Sequence, residues 1–271
     1  MDDVANYDSI AKIRADDGEP RPQLLAGVVR GLYATYASQI TAGGAPVPHC
    51  FADDERKALK ENYEVLKRAQ FDGLRSAILQ AAGGRCPFCH QAKANEIDHF
   101  LPKAIFGEYS VFSPNLLPIC TTCNKKKSNR YKQGGVRRYV HPYFDALPSE
   151  AFLRVDLKID PNISVQFEVH PPGSMPQATA RRLSRQFDDL GLAERYADEA
   201  LEEMMDRLGS LYDYFDTEHA PGVEKYLRTD ARSAAARRGP NHWLVLTLTA
   251  LADSPAFCDR GFMRLGPQPP T

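Results

Sequence analysis

Cys86-Pro87-Phe88-Cys89, Ile97-Asp98-His99-Phe100-Leu101-Pro102-Lys103, Asn115-Leu116-Leu117 and Cys120-Thr121-Thr122-Cys123-Asn124-Lys125-Lys126-Lys127 follow one another in the middle of this 271-residue chain. Two Cys-x-x-Cys turns thus bracket an Asp-His pair and an asparagine, and a second asparagine follows the last cysteine. Each Cys-x-x-Cys turn places two sulfurs on one side of an ion, and two such turns close the tetrahedral shell of zinc with no position left open. Cys86, Cys89, Cys120 and Cys123 therefore read as ligands of a structural zinc. Thirty residues separate Cys89 from Cys120, more than the ~15–20 of a common zinc ribbon, so something folded occupies the gap. Gly83-Gly84-Arg85 ahead of the first turn suits a zinc knuckle. The competing reading is a redox role for one pair. His90 is a substitute ligand that four cysteines make unnecessary.

Asp98 and His99 are neighbours, and on a strand neighbouring side chains point to opposite faces. They serve one reaction if one holds a metal while the other handles water. A carboxylate suits a hard divalent cation. Imidazole, with an ordinary pKa of ~6.5, suits the removal of a proton.

Charge adds a second signal. Net charge is −1 overall, yet residues 85–140 hold ten Lys or Arg against three acids, which leaves the rest of the chain acidic. A basic island on an acidic body is what a phosphate-binding face looks like; a solvated charge run is the plainer alternative. No apolar run approaches the ~20 residues needed to span a bilayer, and the acidic start Met1-Asp2-Asp3 is unlike a secretory signal. The expectation is a cytoplasmic protein, where paired cysteines serve metals more readily than disulfides. Cys50 and Cys258 stand alone and read as small buried hydrophobes.

Outward from the motif the chain organises as follows. Residues 1–22 are polar and read as a loose arm. Leu25, Val28, Val29, Leu32 and Tyr36 space as a helix over 23–40, and Thr41 to Pro48 as a loop. Asp53-Asp54-Glu55 opens a helix, and Phe71, Leu74 and Ile78 give another that ends at Gly83-Gly84. Leu153 to Ile159 and Ile163 to Val169 alternate about Asp160-Pro161-Asn162, which is a β-hairpin. Leu201, Met204, Leu208, Leu211 and Phe215 form a helical stripe, Trp243 to Leu251 reads as a buried helix, and the C-terminal Gly-Pro-Gln-Pro-Pro-Thr as a frayed tail.

The set Cys86-x-x-Cys89, Asp98-His99, Pro102, Asn115-Leu116, Cys120-x-x-Cys123-Asn124-x-x-Lys127 resembles the HNH, or ββα-metal, endonuclease family, in the subgroup whose structural zinc is held by two cysteine pairs. The resemblance covers about residues 83–143. It implies a strand over roughly 95–101, a loop over 102–114, a second strand over 115–119 and a helix over about 121–131. It also implies roles. His99 is the general base. Asp98 and Asn124 hold a catalytic Mg²⁺ or Mn²⁺, with Asn124 where many relatives carry the last histidine. Asn115 braces the loop and orients His99. Lys127, Lys126 and Arg130 meet phosphates, and His141 is a rival third ligand. A looser resemblance is to HNH effectors of bacterial anti-phage systems, whose nuclease a partner ATPase or sensor controls.

The expected fold is α+β: a zinc-stapled ββα-metal core (83–143), flanked by an N-terminal arm and helices (1–82) and by a β-hairpin with a helical C-terminal region (144–271). The expected function is metal-dependent hydrolysis of DNA. The alternatives are a catalytically silent zinc module that binds nucleic acid or adapts partners, and a partner-controlled effector.

Overall fold

Asp2 caps the first helix: its carboxylate accepts from the Ala5 amide (3.0 Å), and α1 runs Asp3–Asp16. Tyr7, Ile10 and Ala11 are buried along it, so the segment expected as a loose arm is a docked helix. A polar composition hid a stripe of three residues, which is enough to seat a short helix on a neighbour.

The computed structural model describes residues 2–42 and 44–267 and divides into two units, Met1–Ala146 and Leu147–Thr271. Gly43 and the tail from Gln268 onward lie outside the described residues. The first unit continues with α2 (Arg21–Leu24), α3 (Ala26–Thr41), α4 (Asp53–Leu66) and α5 (Asp72–Gln80). Then come β1 (Glu96–His99), β2 (Leu116–Ile119), α6 (Thr121–Lys127) and the short ribbon β3 (Lys132–Gln133) and β4 (Val136–Arg137). The N-terminal helices and the motif region share this unit. On α3 the buried positions are Val29, Tyr33, Tyr36 and Ile40; of the expected stripe Val29 and Tyr36 are buried, Leu25 and Leu32 are half-buried and Val28 is exposed.

β1 and β2 pair antiparallel, with Asp98 opposite Leu117 and His99 opposite Leu116. The expected helix over 121–131 stops at Lys127, because Ser128 takes a positive φ of 50°. Aromatic rings from α3 grip the loop between the strands: Tyr33 stacks on Phe112 at 4.0 Å and Tyr36 meets Tyr109 edge-on at 4.9 Å. Gly107 lets this loop lie on α4, where a Cβ would stand 2.7 Å from the Arg56 carbonyl oxygen. Cys50, expected in a core, is exposed, whereas Cys258 is buried.

In the second unit β5 (Leu153–Lys158) pairs antiparallel with β6 (Ser164–Val169). Five helices follow: α7 (Gln177–Asp189), α8 (Leu192–Asp206), α9 (Leu208–Arg238), α10 (Trp243–Ala252) and α11 (Pro255–Cys258). The stripe from Leu201 to Phe215 spans two helices that meet at Arg207. Among the described residues no helix is long and apolar enough to cross a membrane.

Candidate metal centre and active site

The knuckle before Cys86 turns on Gly83 and Gly84, both at positive φ, and the Cys86 amide closes it on the Ala92 carbonyl (3.0 Å). The second cysteine pair is presented by the start of α6, where Cys120 Sγ also accepts from the Cys123 amide (3.5 Å) and so caps the helix. The sulfurs of Cys86, Cys89, Cys120 and Cys123 lie within 4.8 Å of one another, and all four residues are buried. Cys89 and Cys120 are 3.9 Å apart, close to the edge of about 3.8 Å expected for sulfurs ~2.3 Å from a tetrahedral zinc. The four cysteines are thus positioned to hold a metal ion. Among the described residues they are the only His, Cys, Asp or Glu group so arranged, and His90 is not part of it.

α6 lies along β1 through two polar pairs. Lys127 Nζ donates to Asp98 Oδ2 (2.7 Å) and to the His99 carbonyl (2.8 Å). Asn124 Nδ2 donates to Glu96 Oε2 (2.5 Å). Lys127, expected at a phosphate, is 1% exposed, and its ammonium is bonded to Asp98 and the His99 carbonyl as an internal counter-ion. Lys125 and Lys126 are exposed. Arg130 donates to the carbonyls of Lys126 and Lys127 and so caps the C-terminal end of α6.

The His99 ring lies against the loop and α4. Its Nε2 is 2.8 Å from the Ser110 carbonyl and its ring 4.7 Å from that of Tyr63. A carbonyl oxygen only accepts, so Nε2 carries the hydrogen and Nδ1 keeps the lone pair. Burial pushes the imidazole pKa down to about 3, with Lys103 and Lys127 adding repulsion and the Ser110 bond opposing. Asn115 is fully buried and spends its amide on the loop after His99 and on Tyr36 of α3. Its Oδ1 accepts from the Leu101 amide (2.8 Å) and the Tyr36 hydroxyl (2.9 Å); its Nδ2 donates to the carbonyls of Leu101 (3.1 Å) and Tyr109 (3.2 Å).

His141 is not arranged as a third ligand. It is buried, packs on Phe100 at 4.1 Å, accepts at Nδ1 from the Tyr143 amide and meets the Tyr36 hydroxyl at Nε2. The Tyr36 hydroxyl donates to Asn115 Oδ1 and lies 3.3 Å from His141 Nε2, so the three side chains pack as one buried polar cluster. Arg137, one of the ten bases of the island, is likewise internal: it is 1% exposed and grips Asp145 with two bonds of 2.6 and 2.8 Å.

Three residues of the site are given no role by the sequence. Tyr63 donates to the Ile97 carbonyl (3.1 Å) and presents its ring to His99. Lys103 sits with Nζ 4.0 Å from the centre of that ring and 3.9 Å from the Glu64 carboxylate, its pKa lowered first by burial. Glu96 binds α6. Lys103 and Glu96 flank the Asp-His pair in sequence, and the two-residue period of a strand puts Glu96 on the Asp98 face. Tyr63 comes from a distant helix.

No known family profile matches the chain, and no solved structure matches it. Protein ea31 of Escherichia phage lambda is 28% identical over 196 residues, which are 66% of this chain and 65% of that protein. The Septu protein PtuB of Bacillus thuringiensis is 36% identical over 59 residues, 20% of this chain and 23% of that one. The chain therefore spans less than two thirds of the length of these curated relatives.

Proposed function

We propose that this chain is a divalent-metal-dependent endonuclease of the HNH type. It hydrolyses DNA phosphodiester bonds in the cytoplasm and serves as the nuclease of an anti-phage system under control of a partner ATPase or sensor. The observation that carries the reading is the His99 ring: its Nε2 lies 2.8 Å from the Ser110 carbonyl, an acceptor only, which leaves the Nδ1 lone pair to take a proton. The partial similarity to a Septu protein supports the anti-phage setting.

In this reading zinc fills the four-cysteine site and staples the knuckle to α6. The hard oxygens of Asp98 and Asn124 fit Mg²⁺ or Mn²⁺: Lys127 occupies only one oxygen of Asp98, and Glu96 occupies only the nitrogen of Asn124. When bound, that cation offsets charge at the scissile phosphate and the leaving oxygen. The protein supplies the rest. His99 Nδ1 takes the proton of the attacking water, and Ser110 holds the imidazolium that results. A ring whose pKa is near 3 is a weak base, and the negative charge of an incoming phosphodiester raises it toward a useful value. Lys103, whose ammonium has no partner at hydrogen-bond length among the described residues, meets a phosphate oxygen beside Tyr63. Lys125, Lys126 and Arg130 hold the backbone without reading bases.

Plasmid nicking with Mg²⁺ or Mn²⁺ tests this. His99→Ala should lower the rate by roughly 10²–10⁴-fold and keep its zinc. Equal cleavage by the variant would remove the base assignment. The enclosure of His99 (4% exposed) favours one second reading, a silent zinc module. It predicts DNA binding without nicking under any divalent ion, with or without a partner.

A further inference from the structure

The face joining β1 to α6 carries two pairs side by side. Glu96 and Asp98 lie two apart on the strand and share a face; Asn124 and Lys127 lie three apart on the helix and share another. Lys127 meets Asp98, and Asn124 meets Glu96. The two ends of an amide side chain have nearly the same shape, so only hydrogen bonding decides which way it faces. An ionised carboxylate only accepts, so the Asn124 nitrogen must face Glu96 and its oxygen must face elsewhere. The other oxygen of Glu96 accepts from the Thr121 hydroxyl, in the first turn of the same helix. Both carboxylate oxygens are therefore tied to α6.

We infer that Glu96 is a positioning residue for the catalytic cation: by engaging the nitrogen of Asn124 it presents that residue's oxygen, its sole metal-ligating atom, to an ion shared with Asp98. This rests on the nuclease reading above and adds to it the residue that sets the handedness of the ligand amide. A glutamine at position 96 could donate as well as accept, so the amide would lose its forced orientation. An aspartate at position 124 has two equivalent oxygens and needs no orienting partner.

The test measures Mn²⁺ binding to the zinc-loaded full chain by the loss of the free-ion paramagnetic resonance signal, with no DNA present. Asp98→Ala marks the site by abolishing the binding. Glu96→Gln should weaken Mn²⁺ by roughly 10–100-fold, the range for a residue that orients a metal ligand. Glu96→Gln combined with Asn124→Asp should bind at least as tightly as the natural chain. Zinc content reports that each variant is folded, and Glu96→Ala, which offers no competing donor, provides an independent loss of the partner. Natural affinity in both Glu96 variants overturns the inference. So does a double variant no tighter than Glu96→Gln, which would make Glu96 a ligand or a purely structural group. If the natural chain itself binds no Mn²⁺ in an Asp98-dependent way, the nuclease reading fails instead.

Discussion

Replacing Lys127 by methionine separates an internal counter-ion from a phosphate contact. The ammonium is 1% exposed and spends its bonds on Asp98 and the His99 carbonyl. Methionine fills much of the same space but leaves the Asp98 carboxylate, itself only 17% exposed, without its charge partner. Removing one member of a buried pair costs about 3–5 kcal/mol, and the partial exposure of Asp98 places the expected loss near the lower end. A phosphate contact would behave differently: its removal would reduce the slope of log affinity against log salt by about 0.9 and leave folding untouched. Two probes keep the units apart. Release of added zinc during urea titration follows the first unit, which holds the four clustered cysteines; fluorescence of Trp243, the single tryptophan, follows the second. Lys127→Met should lower the zinc-release midpoint, leave the Trp243 transition in place and keep the salt slope of DNA binding. Adding Asp98→Asn should recover a good part of the lost stability. A flatter salt slope with an unchanged midpoint would refute the internal role and restore Lys127 to the DNA surface.

Lys126→Ala should give the opposite pattern, a salt slope shallower by about 0.9 with an unchanged urea midpoint. Asn115→Ala strands the Leu101 amide and carbonyl in the core, so the zinc-release midpoint should fall by the equivalent of about 3 kcal/mol or more, at ~1–3 kcal/mol for each stranded group. His99 and His141 are both held by burial at a pKa of about 3, against ~6.5 in an unfolded chain. Between those values the unfolded state binds a proton that the folded state does not. Stability therefore falls as pH drops from about 6.5 toward 3, by about 1.4 kcal/mol per pH unit for each histidine. His141→Gln should reduce that slope by one proton relative to the natural chain, read from urea midpoints at a series of pH values. Stripping zinc with a strong chelator, or Cys120→Ser, should abolish the near-ultraviolet circular dichroism of the first unit and leave the second folded; an unchanged spectrum would count against a metal staple.

The local code of this chain was legible where chemistry and spacing coincide. Two Cys-x-x-Cys turns can converge on one ion only if the segment between them folds back, and Asp98-His99 with Asn115-Leu116 marks the two strands that do so. Alternation about Asp160-Pro161-Asn162 was enough for the hairpin, and a nearly unbroken apolar run was enough for α10. What escaped depends on partners far away in the chain. Lys127 and Lys126 look alike as letters; α6 rotates one toward Asp98 and the other toward water, and burial then turns a basic residue into a counter-ion. His141 gains its place from Tyr36, more than a hundred positions away, and Tyr63 meets His99 only because α4 packs across the loop. The four thiols and the Asp-His pair were therefore determined by sequence alone. The direction of the His99 lone pair, the enclosure of Lys127 and the facing of the Asn124 amide were decided only by tertiary packing, because hydrogen-bond direction and burial belong to neighbours in space.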